Sequence, residues 1–491
     1  MEELEEKGDD GLIDQLRLPL DRRSMMRRTT ALGTGAGLFS GISTGASKRS
    51  RSAGKRPADP AIANDVRREF LRAWKEYKEH AFGHDRLKPL SETYDEFFLE
   101  DESLGLTIIE SLDTMYLMGL DEELSIAVEW IEENLTFDYD QEIQVFEATI
   151  RLVGGLIAGY KATENETLLD LAQDLADRLL PAFEKSPTGM PYRFVNLRTG
   201  EVSSGFFDNP ENFMAEIGTH IVEWGELSEL VGDDKYYNAA KNALQAAYER
   251  RSNLDLLGAT INVETGEWTD TLARIGPPVD SFYEYLWDGW ALFGDSDLLE
   301  WYSVLLDGIF DHQAEWYNDY LWFKRVDMNT GELGDRQQSE LSQFFAGLLV
   351  ESGQPDLGGA YHDSWTQVHE KFGLPPGQIN YSDLSAVWPS WYLRPEYLGP
   401  ALLLYDETGD EVYRDRAYRH YQQMKTHSQV ENGYTVIEDV TTRPMERGDL
   451  TMGYWFSENM KYFYLLFAEP DRLDRDNYYL TTEGNVVRGL Q

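Results

Sequence analysis

A carboxylate and a guanidinium share one face of an otherwise apolar segment, VFEATIRLVGGLIAGY at residues 145–160. Glu147 and Arg151 are four residues apart, so in a helix their side chains project from the same face. Charged side chains are rarely buried unless they are paired or used. The pair therefore predicts a polar site inside the protein, where a carboxyl group can transfer a proton and a guanidinium offers charge pairing and hydrogen bonds.

Acidic side chains also occur in the first half of the other apolar helical segments. They are Glu110 and Asp113, Glu216, Asp280, Glu340, Glu396 and Glu458. If these helices run parallel, their N-terminal halves meet at one mouth and the acids converge there. Helix N-termini also favour negative charge, and for Glu110 and Asp113 this structural role is the favoured interpretation. Glu147, flanked by Phe146 and Ile150, is instead predicted to face a functional interior.

The elements that carry these acids form a repeat of an apolar helix, a short turn rich in Gly, Asp or Glu, and an amphipathic helix. Seven such turns follow residue 60, among them MGLDEE at 118–123 and LVGDDKY at 230–236. The seventh lacks a following helix, whereas an unpaired helix at 61–80 opens the domain. We therefore predict a ring of seven helix pairs, an all-α (α/α)7 barrel, closed where its first and last elements meet.

A second repeat consists of three turns with the sequence Thr-Gly-Glu, at 199–201, 265–267 and 330–332. Strand-like residues flank each turn, so each predicts a β-hairpin inserted on one face of the helical repeat. The segment 474–487 has the same pattern of strand, turn and strand.

Six motifs in order resemble glycoside hydrolase family 47, the class I α-1,2-mannosidases, from about residue 68 to 487. They are the opening AWKEYKEHAFGHDRLKPLS with LGLTIIESLDTMYLMGL, then FEATIRLVGGLIAGY, DSFYEYL, LRPE, ENMKYFYLLF and TTEGN. The resemblance implies a ring of seven helix pairs plugged by a C-terminal β-hairpin. It also implies a calcium-dependent, inverting hydrolase that removes terminal α-1,2-linked mannose from oligosaccharides or glycoproteins.

Matched residue by residue, the resemblance implies catalytic roles for Glu147, Asp280 and Glu396, with Glu147 as general acid acting through a water and Glu396 as base. Inverting hydrolysis needs two carboxyl groups roughly 6.5–9.5 Å apart, which acids on different helices of a ring can provide. Thr482 matches the threonine that binds Ca²⁺ directly. The residues implied in binding the sugar or the waters around calcium are Arg151, Glu216, Arg394, Tyr454, Glu458 and Glu483.

Four positions depart from the family pattern: Pro278, Glu340, Gly399 and Asn485. They leave the implied acid, base and calcium threonine intact, so an α-1,2-mannosidase is the leading hypothesis. One alternative is a catalytically weak mannose-glycan-binding or quality-control protein on the same fold, because LSQFFAGL resembles the ER degradation-enhancing mannosidase-like branch. The other is a different helical-ring enzyme, such as a glucoamylase-like hydrolase or a sugar epimerase, which has six helix pairs and no TTEGN plug.

The chain carries 44 Lys and Arg residues against 88 Asp and Glu, a formal net charge of -44. This charge argues against nucleic acid or an anionic membrane as partner. Its spread along the chain predicts a surface adapted to high salt, of haloarchaeal type. No cysteine is present, which excludes disulfides and thiolate metal sites. The predicted partner is a mannose-containing glycan, and the chain is expected to be a monomer.

The N-terminal 58 residues differ in composition from the rest. Arg27 and Arg28 precede a short, weakly apolar run rich in Gly, Ala and Thr, followed by a basic, Ser-rich linker. This pattern resembles a twin-arginine export signal, with a disordered basic tail as the alternative. We predict a signal and linker at 1–58, a single catalytic domain at 59–491, no membrane span, and an extracellular or cell-surface location.

The acid excess predicts that thermal stability depends on salt. At low ionic strength, repulsion among the surface carboxylates is poorly screened, and the Debye length falls from roughly 10 Å at 0.1 M to about 3 Å at 1 M. We expect the melting temperature to rise between about 0.1 M and 3 M NaCl, measured by scanning calorimetry. A melting temperature that is flat over this range contradicts the high-salt interpretation.

Overall fold

A computed structural model of the chain describes residues 58–205 and 209–491. The predicted export signal and linker, apart from residue 58, lies outside these residues. Among the helices of the described ranges, none is both long enough and apolar enough to cross a bilayer.

Seven buried helical segments form an inner layer in the described part of the chain. Each contacts the next, and the last contacts the first, so the layer closes into a ring. Their bounds are Leu106–Glu110 with Leu112–Leu117; Val145–Glu147, Ala148–Val153 and Gly154–Thr163; Met214–Gly218 with Ile221–Val231; Asp280–Phe293; Glu340–Gln343 with Phe344–Glu351; Leu398–Thr408; and Trp455–Asn459 with Met460–Phe467.

Seven longer helices pack around this ring in the same described ranges. They are Pro60–His80, Asp121–Asn134, Glu166–Leu179, Lys235–Tyr248, Ser296–His312, Pro355–Phe372 and Glu411–Ser428, with a short extra helix at Pro181–Glu184. Six follow their inner partner directly along the chain. The seventh pair joins the first helix to the last inner segment, which confirms the predicted (α/α)7 barrel and rules out a ring of six pairs.

Contacts between the two ends of the domain close the ring. The backbone N–H of Asp59 donates to the Phe467 carbonyl at 2.8 Å. The rings of Phe70 and Trp74, on the first helix, pack edge-on against Phe456 with centroids 5.4 and 5.8 Å apart. The first and last helices therefore form a pair although they are far apart in sequence.

The two layers differ in which faces they bury. Every residue of the inner segment Ala148–Val153 is buried, whereas the outer helix Glu166–Leu179 buries one stripe of Leu and Ala side chains. Several outer helices begin at an acceptor side chain, as where Asn165 accepts a hydrogen bond from the Thr167 N–H. Apolar periodicity and capping residues thus sort the helices into layers.

Short antiparallel sheets lie between the end of an outer helix and the start of the next inner segment, except for the C-terminal sheet, which follows the last inner segment. Two-stranded sheets pair Arg86–Lys88 with Thr93–Asp95, Ala314–Tyr317 with Tyr320–Phe323, Gln429–Val430 with Gly433–Tyr434, Ile437–Asp439 with Glu446–Arg447, and Tyr479–Leu480 with Val486–Arg488. Three-stranded sheets join Glu142–Gln144, Phe194–Asn196 and Val202–Ser203; Glu211–Phe213, Thr260–Asn262 and Trp268–Asp270; Leu272–Ala273, Arg325–Asp327 and Leu333–Asp335; and Gln337–Ser339, Gln378–Asn380 and Ser385–Trp388.

The three predicted Thr-Gly-Glu hairpins are confirmed. Gly200, Gly266 and Gly331 have φ values of 69°, 73° and 71°, a left-handed conformation that glycine adopts without steric cost. Each turn begins at an Asn or Asp whose side chain accepts from the following N–H groups, as Asn262 does for Glu264 at 2.9 Å.

The C-terminal hairpin enters the ring, as predicted. The side chain of Asn485 donates to the Ile150 carbonyl at 3.0 Å, and Lys161 donates to the Val487 carbonyl at 2.7 Å. The hydrophobic core is continuous from Ala63 to Val487, so the hairpin is part of the same packed unit. We refer to residues 479–488 as the plug.

Three buried histidines pack together around Tyr397 between two outer helices. His362 and His369 stack on the Tyr397 ring, and the ring of His420 lies 5.0 Å from that of His369. Burial lowers the pKa of His362 and His420 to about 3. Neither ring nitrogen of His420 has a hydrogen-bond partner among the described residues, so protonating it in the folded state is unfavourable.

These histidines predict a loss of stability in acid. A histidine held neutral when folded stabilises the protein above its unfolded pKa of about 6.5, and this contribution is lost as the pH falls towards about 3. Between pH 7 and pH 5, we expect the unfolding free energy of the wild type to fall by about 2 kcal/mol more than that of His420→Phe, which has no imidazole to protonate. Denaturant titrations at both pH values measure the difference, and parallel losses in the two proteins contradict it.

Candidate active site

The predicted site residues lie near the starts of the inner segments and in the turn of the plug. Glu147 precedes the segment Ala148–Val153, which contains Arg151, and Glu458 lies in Trp455–Asn459; both segments are π-helical. Widened π turns often occur at functional sites because they redirect side chains. The remaining positions are Glu216 in Met214–Gly218, Asp280 and Glu340 as first residues of their segments, Arg394 and Glu396 just before Leu398–Thr408, Tyr454 before Trp455, and Thr482 and Glu483 in the plug turn.

Arg151 binds three carboxylates from three separate elements. Its Nε lies 2.5 Å from Glu147 Oε2, and its Nη1 lies 2.7 Å from Glu110 Oε1 and 2.9 Å from Glu483 Oε2. The side chain is only 8% exposed. Opposite charges this close in a buried site attract strongly, and the three acids raise the pKa of Arg151 although burial alone would lower it. The interpretation of Glu110 as a helix-start charge is wrong, because it is a buried partner of Arg151.

Asp113 also has a different role from the one favoured by sequence. Its Oδ2 lies 2.8 Å from Lys461 Nζ in an ion pair with side-chain exposures of 1% and 0%. The same oxygen accepts from the Val486 N–H at 2.8 Å, and Lys461 donates to the Gly484 carbonyl. Asp113 and Lys461 therefore fasten the plug to two inner segments, which fixes the position of Thr482.

A second group of carboxyls lies beside the plug. Burial, with a smaller contribution from neighbouring Glu396, raises the pKa of Asp280 to about 7, although the Ser281 N–H opposes the shift. Burial also raises the pKa of Glu284 to about 7, and the nearby Thr482 side chain opposes that shift. Sequence reasoning missed Glu284. Its signal was the same as that of Arg151, a charged residue one helical turn after a site acid.

Arg394 and Tyr454 lie between the two groups of acids. Arg394 Nη1 is 4.0 Å from Glu396 Oε1. The Tyr454 ring lies between two guanidiniums, 5.1 Å from Arg394 and 5.3 Å from Arg151, a favourable cation–π arrangement. Burial raises the pKa of Glu396, and Arg394 opposes that shift. Arg394 therefore favours the ionised form of Glu396.

Glu216 is close to the site but bound to other groups. Arg193 approaches its two oxygens at 2.8 and 3.0 Å, and Gln144 donates to it at 2.8 Å. Burial raises the pKa of Glu216, and the nearby Glu147 carboxyl adds to that shift. Glu216 forms part of the wall beside Glu147.

The four departures from the family pattern have different structural effects. Asn485 bonds the Ile150 carbonyl and holds the plug. Gly399 faces Tyr462, with 3.6 Å between an added Cβ and that ring. Glu340 is buried, and its pKa is raised by burial and by Glu396, with Arg394 opposing. The Pro278 carbonyl accepts from the Ala215 N–H at 3.0 Å, which joins two inner segments.

The donor set around Thr482 fits a hard cation. Oε2 of Glu284 and Oε2 of Glu396 are buried without a hydrogen-bond partner among the described residues. Glu458 accepts from Tyr462 at 3.0 Å, and its pKa is raised by burial and by neighbouring Glu483 and Glu396. Carboxylate, hydroxyl and carbonyl oxygens are the ligands that Ca²⁺ prefers, and a bound cation would relieve the repulsion among these acids.

A ring of seven helix pairs in the described part of the chain, with carboxyl groups and a hairpin plug around one mouth, defines a glycosidase of the (α/α)7 type. The chain matches glycosyl hydrolase family 47 over residues 69–489. This chain therefore belongs to that family.

Relatives and a solved structure support the assignment. The chain is 34% identical over 448 residues to alpha-mannosidase I MNS5 of Arabidopsis thaliana, which covers 86% of this chain and 76% of that protein. It is 33% identical over 454 residues to ER degradation-enhancing alpha-mannosidase-like protein 2 of Mus musculus, covering 88% and 76%. The alpha-1,2-mannosidase structure from Trichoderma reesei, 24% identical, superposes with a TM-score of 0.80 over 89% of this chain and 100% of that one, which shows the shared fold.

The plug anchor predicts a large penalty for removing one partner. Lys461→Met would leave Asp113 charged, buried and without its cation, which typically costs about 3–5 kcal/mol. We expect this loss of unfolding free energy in denaturant titrations, and a partial recovery in the double variant Asp113→Asn with Lys461→Met. Lys75→Met is the control, because Lys75 is 69% exposed and surface pairs contribute at most about 1 kcal/mol. Equal effects of the two single variants contradict the anchoring role.

Proposed function

We propose that this glycosidase removes terminal α-1,2-linked mannose from oligosaccharides or glycoproteins with inversion at the anomeric carbon. The observation that carries the proposal is the arrangement around Arg151, which places Glu147 at the mouth beside the plug residue Glu483. Asp280 and Glu396 lie at the starts of other inner segments of the same ring, and the Glu396 carboxylate contributes to the raised pKa of Asp280. An inverting glycosidase needs a proton donor and a base on opposite sides of the sugar, and separate helices can supply them.

In this proposal Glu147 supplies the proton to the leaving oxygen, acting through a water, and Glu396 removes a proton from the attacking water. Arg151 orients the Glu147 carboxyl through its Nε, while Glu110 and Glu483 hold Arg151. Arg394 keeps Glu396 towards its ionised, basic form. Asp280, with a pKa raised to about 7 by burial, lies next to Glu396 and shares the positioning of the water.

We propose Ca²⁺ as the cofactor, held by Thr482 directly and by the surrounding carboxyls of Glu284, Glu396, Glu458 and Glu483 through waters. When bound, the ion would coordinate the oxygens of neighbouring sugar hydroxyls and neutralise the charge of the surrounding carboxylates. The buried oxygens of Glu284 and Glu396 without partners support this assignment.

The names of the relatives support the substrate class. Alpha-mannosidase I MNS5 and ER degradation-enhancing alpha-mannosidase-like protein 2 are similarly close to this chain in identity. The second candidate function is therefore a glycan-binding protein with weak turnover. Glu340, whose raised pKa favours a neutral side chain beside Arg394, and Gly399, which contributes no side-chain group there, support this candidate. Turnover of α-1,2-mannobiose discriminates between the two.

We further propose a monomeric enzyme exported by the twin-arginine route to a high-salt exterior. Arg27 and Arg28, with the weakly apolar run after them, support export. The formal net charge of -44 supports the salt adaptation and opposes self-association at low ionic strength.

Three substitutions separate proton transfer from metal binding. Glu147→Gln keeps its shape and can still bond Arg151 but cannot supply a proton, so we expect kcat to fall by about 10²–10⁴. Glu396→Gln should be equally severe, because an inverting mechanism needs both groups at once. Thr482→Ala should instead weaken calcium affinity. Rates on α-1,2-mannobiose and calcium titrations by calorimetry measure the two effects.

The matched control is Glu201→Gln, because Glu201 is an exposed acid in a neighbouring hairpin turn. We expect wild-type rates and calcium affinity for it. Near wild-type turnover by Glu147→Gln would overturn the assignment of the acid. Unchanged turnover after calcium is removed with a chelator would overturn the cofactor proposal.

A further inference from the structure

A second polar pocket lies just outside the mouth, beside the loop that leads into Asp280. Its walls include Arg274, Gly276, Arg325, Gln337, Ser339 and Ser342. The backbone N–H of Asp280 lies 3.4 Å from the Gly276 carbonyl, so the pocket begins within one helical turn of a proposed catalytic residue. None of these six residues belongs to the site described above.

Arg325 is held in this pocket with little compensation for its charge. Its side chain is 14% exposed, and the nearest carboxylate oxygen, of Asp335, is 3.6 Å away. The guanidinium donates no hydrogen bond to any of the described residues 58–205 and 209–491, although it has five N–H groups. Burial lowers the pKa of Arg325, and Arg274 lowers it further, while Asp335 opposes the shift.

Arg274 places a second positive charge at the same pocket. Its side chain is also 14% exposed; Nη2 lies 3.0 Å from Asp270 Oδ2, and Nε donates to the Leu272 carbonyl at 3.1 Å. Asp270 and Asp335 are 44% and 31% exposed, so both counter-charges are screened by solvent. Two guanidiniums that repel each other in one partly buried pocket form a favourable environment for an anion.

The polar groups around the arginines match this chemistry. Gln337, Ser339 and Ser342 bring amide and hydroxyl groups to the same walls. At Gly276 an added Cβ would lie 2.1 Å from Ser342 Oγ, so the loop and the opposite wall approach as closely as a glycine permits.

We propose that this pocket binds an anionic substituent, a carboxylate, sulfate or phosphate group, carried by the glycan next to the mannose that is removed. Arg325 supplies the principal charge and Arg274 the second. The substrate of the enzyme is then an acidic glycan rather than a neutral one. This inference rests on the proposed function, since it names the substrate class of the same mouth.

Binding of small anions tests the pocket without requiring turnover. Sodium phosphate and sodium glucuronate are titrated into the full protein by calorimetry at constant ionic strength, with glucose as the neutral reference. We expect saturable binding of at least one anion, at least tenfold weaker in Arg325→Gln and within about threefold of wild type in Arg325→Lys, which keeps the charge. Arg198→Gln is the control, because Arg198 is a 51% exposed arginine in another hairpin; it should bind as the wild type does.

The outcomes separate this inference from the proposed function. Hydrolysis of neutral α-1,2-mannobiose should be the same in Arg325→Gln and the wild type, which also shows that the variant is folded. Anion binding that depends on Arg325 in a protein without mannobiose turnover supports the pocket and overturns the proposed function. Turnover of mannobiose without saturable anion binding, or equal binding by the wild type and Arg325→Gln, overturns the pocket. Preference for phosphate or for glucuronate identifies the anion.

Discussion

The rest of the site depends on one buried cation. Arg151 joins Glu110 of the first inner segment, Glu147 of the second and Glu483 of the plug. Without the guanidinium, three carboxyls would be buried together and repel each other, and they would bind protons instead of remaining charged. Because these three acids belong to three elements, the same contact that orients the proposed proton donor also joins the ring to the plug. Structural and chemical roles therefore coincide at this arginine.

The plug fills the interior of the ring, so the hydrophobic core is continuous although the mouth of the ring is polar. Asp113 and Lys461 are fully buried and bound to backbone groups of the plug as well as to each other, so each charge has an opposite charge beside it in the interior. On the far side, Glu226 binds both Lys161 and Arg488. With these ion pairs the hairpin is held along its length, and its turn presents Thr482 and Glu483 to the mouth.

Much of this site could be predicted from the residues themselves. Glu147, Arg151, Asp280, Glu396 and Thr482 lie where the repeat and the motifs placed them. Glu284 was missed because it is one of several acids in an aromatic helix, and only its contact with Thr482 distinguishes it. Tyr283 and Trp391 are 1% and 0% exposed, so both aromatic side chains belong to the core. Burial depends on neighbours far along the chain, and it decided the roles of all three residues.

By itself, the sequence determined the helices, their order and the hairpins, because apolar periodicity, capping side chains and glycine turns act within a few residues of each other. The count of seven turns and the unpaired first helix also determined the closure of the ring. Only the tertiary structure decided the partners of the charged groups. Asp113 and Lys461 are separated by 348 positions, and no local pattern distinguishes a carboxylate that begins a helix from one that pairs with a distant cation. That choice is made by burial, which makes an unpaired charge costly and so selects the partner that packing brings within reach.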